Sequence, residues 1–134
     1  MRIAVLTSNQ PRHVALLDAL IEAGHDVVAV IEPKTWNPAG DSPVLQRYWA
    51  AVQQAELDVF GPRPFARLPV LACRPGEASA LPESAQAQIL AADRIVVFGS
   101  SYLRHGFATA LIAHHGMHVI TGDRVSGINY ACRR

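Results

Sequence analysis

The feature that most constrains this chain is a short apolar run ending directly in a small polar turn, and it occurs twice. Ile3-Ala4-Val5-Leu6 runs into Thr7-Ser8-Asn9-Gln10, and Ile95-Val96-Val97-Phe98 runs into Gly99-Ser100-Ser101. Apolar residues at successive rather than alternate positions mark strands buried on both faces. After the first turn, Pro11 suits an opening helical position, where its missing N–H costs nothing, and Asn9 or Gln10 lies where a side chain can satisfy free amides. Val14, Leu17, Leu20 and Ile21 recur at helical spacing, Gly24 closes the run, and Val27 to Ile31 forms a second strand stopped by Glu32-Pro33. A strand, a helix and a strand joined by short connections fold as a right-handed βαβ unit with a parallel sheet.

The rest of the chain extends this pattern. An irregular loop rich in Pro, Gly, Asn and Asp spans Lys34 to Ser42, before a helix predicted from Pro43 to about Leu57. Leu68 to Ala72 suits a short third strand, which Pro69 places at a sheet edge or a strand start. A helix follows from Pro82 to Ala92, then the strand at Ile95, a helix from Tyr102 to His114 interrupted by Gly106, and a fifth strand from Met117 to Ile120. The expected fold is therefore α/β: a Rossmann-like open, mainly parallel sheet flanked by helices, with strand order 3-2-1-4-5. Residues 1–122 form the domain, and no element is legible in 123–134.

The length of 134 residues fits one domain. A hydrophobic share of 50% with 17% charged residues suits a sheet covered on both sides. A formal charge of +1 gives no broad reason to bind nucleic acid as the primary partner or an anionic membrane. The first apolar run is too short for a signal peptide or a membrane span, so a cytoplasmic location is expected. Cys73 and Cys132 are far apart and form no Cys-x-x-Cys pair, which argues against a disulfide framework and a structural zinc site. His114-His115 lies near a helix end, where adjacent side chains point in different directions, so a capping or surface role is expected and no metal.

In open parallel sheets ligands collect beyond the carboxyl ends of the strands. With order 3-2-1-4-5 the first and fourth strands are neighbours, and the loops Thr7 to Gln10 and Gly99 to Tyr102 flank one crevice. Either these hydroxyls and amides line a pocket or they only cap two helices. The first turn has no glycine, so the dinucleotide fingerprint is missing and NAD or FAD is not expected. No Walker phosphate loop occurs either.

The opening stretch Met1 to Pro33, above all Met-Arg-Ile-Ala-Val-Leu-Thr-Ser-Asn-Gln-Pro-Arg-His, resembles the N-terminal domain of formyltransferase-like proteins related to methionyl-tRNA formyltransferase. Val96-Val97-Phe98-Gly99-Ser100-Ser101-Tyr102-Leu103 is similar to that family's strand and turn before its catalytic strand. The resemblance runs from Met1 to about His118. It implies formyl transfer from formyltetrahydrofolate, as co-substrate, to a small-molecule amine. The sequence leaves an oligomer open. In that family an Asn-x-His pair and a later Asp stabilise the oxyanion and move the proton. Here Gly116 occupies the Asn position if His118 is the catalytic histidine; if His118 replaces the Asn, Ile120 replaces the histidine. The family's later landmarks are missing from Thr121 onward, and Asp123 is too close to His118 to be the family's aspartate.

The chain is thus expected to be a formyltransferase-like domain that is catalytically incomplete, truncated or altered after about His118. Ser8, Asn9, Gln10, Phe98, Gly99, Ser100 and Ser101 are the candidate pocket lining, and His118 is the one catalytic candidate. Three explanations of the altered end stand side by side: a truncated or frame-disrupted product, a relative that keeps its pocket without chemistry, or a site completed by another chain. The alternative is a non-enzymatic Rossmann-like ligand-binding or interaction module.

Overall fold

The computed structural model describes residues 1–33, 40–62, 70–72, 74, 77–100, 103–114 and 116–119. Strand β1 (Arg2–Ser8) leads into helix α1 (Pro11–Glu22), and β2 (Asp26–Glu32) returns beside it. The 18-residue helix α2 (Pro43–Phe60) follows, then β3 (Val70–Ala72), a single 3₁₀ turn (Glu77–Ala80) and α3 (Glu83–Leu90). The chain continues through β4 (Arg94–Val97), α4 (His105–Ala113) and β5 (Met117–Val119). The strands lie in the order β3-β2-β1-β4-β5, with every pairing parallel.

The centre of the sheet explains the apolar runs. Apart from their first residues, β1 and β2 are buried at every position, because helices cover both faces. Strand alternation divides the core in two. Ile3, Val5, Val27, Ala29 and Ile31 pack under Leu17, Leu20 and Ile21 of α1. Ala4, Leu6, Val28, Val30, Ile95 and Val97 face Ile89 of α3 and Phe107 and Leu111 of α4. The amino ends are tied as well: Arg2 N–H donates to the Asp93 carboxylate at 2.7 Å, and Asp93 N–H donates to Arg2 O at 2.9 Å.

Several expected boundaries are corrected. Glu32 does not stop β2; it is the strand's last residue and is fully buried. Helix α4 begins at His105 rather than Tyr102, because Arg104 is held extended (φ −137°, ψ 164°) while its N–H donates to Ser79 Oγ at 2.7 Å. That bond ties the helix start to the 3₁₀ turn, which periodicity does not reveal. Gly106, in the first turn of α4, does not interrupt the helix. Helix α2 runs on to Phe60, and Ser42 caps it by accepting the Leu45 N–H at 3.3 Å. Leu68, Pro69, Cys73, Tyr102, Ile120, Asp123 and Cys132 lie outside the described residues.

Candidate functional site

The polar interior of this protein is concentrated at one end. Among the described residues the buried polar or charged side chains are Thr7, Ser8, His13, Glu32 and Ser100. All five lie at or just beyond the carboxyl ends of the three central strands. Ser8 and Glu32 stand opposite each other as the last pair of the β1–β2 register. Past the end of β4, Phe98 N–H donates to Leu6 O at 2.9 Å, which keeps the Phe98–Ser100 turn alongside β1 and next to Thr7. Five polar side chains buried together set this end of the sheet apart from the apolar remainder of the core.

The backbone of Gly99 packs against the His13 ring at this end. His13, in the first turn of α1, is buried against Phe98, with ring centroids 4.7 Å apart at an edge-on 79°. Gly99 turns there with φ +77°, and a β-carbon on it would sit 2.7 Å from His13 Cε1 and still closer to Nε2. Only a glycine both adopts this φ without strain and lets the backbone pass over the imidazole. The β4 turn and the first turn of α1 are therefore one packed unit.

Neither Gln10, the N-cap of α1, nor Arg104, the N-cap of α4, makes a side-chain cap hydrogen bond. A residue far away in sequence serves α1 instead: Glu56 of α2 accepts the Arg12 N–H through Oε1 at 2.9 Å and the Arg12 guanidinium through Oε2 at 2.7 Å. A helix N-terminus is a natural anion site, and here an internal carboxylate fills that role. The remaining groups are hydroxyls (Thr7, Ser8, Ser100), amides (Asn9, Gln10), the Glu32 carboxylate and the His13 imidazole. Thr7 Oγ1 and Gln10 Oε1 are buried and have no hydrogen-bond partner. Ser8 Oγ donates to Asn9 Oδ1 at 3.3 Å.

Of the residues singled out from the sequence, the fold brings together Ser8 and Ser100, both buried, with Asn9, Gln10, Phe98 and Gly99, all half-buried. Ser101 lies outside the described residues. His118 stands apart. It is exposed in β5 opposite Val96, level with Val5 of β1. The buried polar cluster begins at Thr7, two residues further along, which is about 7 Å at the strand rise.

Gly116 is equally informative. A β-carbon there would run into the backbone carbonyl of Asp93 and lie 3.0 Å from His114 Cε1. An Asn at this position requires the β4–β5 junction to shift. His114 is a staple: its Nδ1 accepts the Gly116 N–H at 3.0 Å, which leaves Nε2 to donate to Ala92 O at 2.9 Å. The expected surface or capping role is corrected: the half-buried ring ties two connections together, and these two bonds do not reach the last carbonyls of α4. Among the described residues no three His, Cys, Asp or Glu side chains gather closely enough to hold a metal ion.

Sequence reasoning did not single out His13 or Glu32. The available signals were positional: Glu32 ends a buried strand level with Ser8, and His13 follows the first loop by less than one helical turn. No protein-family model matches the chain, and neither a curated protein nor a solved structure matches it.

Proposed function

We propose that this chain is a formyltransferase-like domain of Rossmann-like order 3-2-1-4-5, whose crevice beyond β1 and β4 binds formyltetrahydrofolate or an amine acceptor, and whose chemistry is incomplete. The observation that carries the reading is the gathering of Thr7, Ser8, His13, Glu32 and Ser100 at one end of an otherwise apolar core. The pterin ring of a folate presents amide and amino N–H groups, which a buried carboxylate and side-chain oxygens accept. The resemblance of Met1 to Pro33 and of Val96 to Leu103 supplies the reaction class. The incomplete chemistry is supported by the lack of an Asn-x-His pair around His118 and by the tight packing at Gly116. A cytoplasmic location goes with this reading; among the described residues no helix is long and apolar enough to cross a membrane.

Calorimetric titration with 5-formyltetrahydrofolate, a stable stand-in for the donor, tests the pocket. Saturable heat that weakens in Thr7→Val supports it, and a folded protein that gives no binding heat sinks it. A formyl-transfer assay with small amines then tests the chemistry, for which turnover abolished by His118→Ala is the signature of an enzyme. A second reading, a non-enzymatic interaction module, is favoured by the large apolar side chains that α2 leaves exposed.

A further inference from the structure

Helix α2 has two sides with different fates. Trp49, Val52, Glu56 and Phe60 recur at helical spacing and are half-buried toward the rest of the domain. About a quarter-turn around the helix, Val44, Tyr48, Ala51, Ala55 and Val59 recur at spacings of four, three, four and four residues, and every one of them is exposed. Val44 is 66% exposed, Tyr48 57% and Val59 73%. This is the spacing of a helix–helix seam, with bulk at both ends and alanines in between.

We infer that this face is the contact of a homodimer, in which α2 pairs antiparallel with α2 of a second copy about a two-fold axis beside Ala51. The sequence of the seam is self-complementary in that arrangement. Tyr48 lies opposite Ala55 of the other copy and Val44 opposite its Val59, so large side chains meet small ones twice and the ends close on each other. Charge selects the same occupant. Arg47 and Asp58 border the same edge of the seam, both exposed, near opposite ends of the helix. A two-fold antiparallel pair brings equivalent edges together, so Arg47 of each copy lies beside Asp58 of the other. A lipid surface would select basic residues at both ends, and Asp58 opposes that.

An 18-residue helix gives a seam of about 27 Å. That is a small interface, so association on the order of 10 micromolar is expected rather than a permanent dimer. Sedimentation velocity of the full chain from about 1 to about 300 micromolar brackets this strength. The unaltered protein moves from monomer toward dimer across the range. Arg47→Glu turns two attractions into two repulsions and weakens association about tenfold. Adding Asp58→Arg in the same chain restores both pairs with the signs exchanged and brings association back to within about threefold of the parent. Neither substitution opposes the helix dipole, and thermal melts by circular dichroism verify that each variant is folded. A monomer throughout the range, a dimer indifferent to Arg47→Glu, or a double variant no tighter than the single one overturns the proposal.

Discussion

The Glu56 carboxylate grips Arg12 twice, taking its backbone N–H at 2.9 Å and its guanidinium at 2.7 Å. One side chain of α2 thus caps α1 and pairs with a cation in the same turn. The side chains are 9% exposed for Glu56 and 27% for Arg12, so solvent screens this pair less than an ordinary surface ion pair. Helix α2 has no fully buried residue, which makes this clamp a principal tie to α1. Glu56→Ala is expected to cost about 1.5–3 kcal/mol, the range for hydrogen bonds to charged groups, and to speed amide exchange along α2 before the sheet is affected. Glu56→Gln keeps the cap and loses the charge, so it falls between. Urea denaturation and hydrogen exchange check both; equal stability of Glu56→Ala and the parent contradicts the clamp.

Gly99 leaves no room for a side chain over His13. Alanine there adds a strained positive φ to a collision with the His13 ring, and together these are expected to cost about 2–4 kcal/mol. The Tm should fall by several degrees, and the His13 ring resonances should shift in NMR spectra. A variant that melts with the parent contradicts the packing of Gly99 over His13.

Thr7 separates stability from binding. Its hydroxyl oxygen is buried without a hydrogen-bond partner, so Thr7→Val removes an unsatisfied group at nearly constant shape. The expected change in stability lies between neutral and a gain of about 1 kcal/mol. If the crevice binds a folate, the same variant binds it more weakly. Lower stability of Thr7→Val in denaturant titrations would show that the hydroxyl is satisfied within the fold.

His114→Ala removes both ends of the staple between Ala92 O and Gly116 N. The expected loss is about 1–3 kcal/mol, with faster amide exchange at Gly116 and around β5. By contrast His118→Ala, at an exposed position, should leave stability within about 0.5 kcal/mol. Any loss of formyl transfer in that variant is then chemical rather than structural.

The fold class and the polar turns that follow β1 and β4 were legible in the sequence for a local reason. A strand buried on both faces must be apolar at successive positions, and the turn that ends it must carry polar or glycine residues, so Ile3–Leu6 and Ile95–Phe98 declare themselves without knowledge of their neighbours. The same logic placed α1, and it brought Ser8, Asn9, Gln10, Phe98, Gly99 and Ser100 to one candidate site.

What tertiary structure alone decided depends on contacts between distant residues. Glu32 looked like a strand terminator because an acidic residue ordinarily ends burial; only the register opposite Ser8 and the covering layers keep it inside. Glu56 lies 44 positions from the helix it caps, and no local pattern reports such a partner. The start of α4 depends on a bond from Arg104 to Ser79, and the need for glycine at 99 and 116 depends on His13 and Asp93. Periodicity records which faces a segment must bury. Which side chain meets which across the chain is settled when the layers pack, because only then do burial, register and hydrogen-bond satisfaction act on the same atoms.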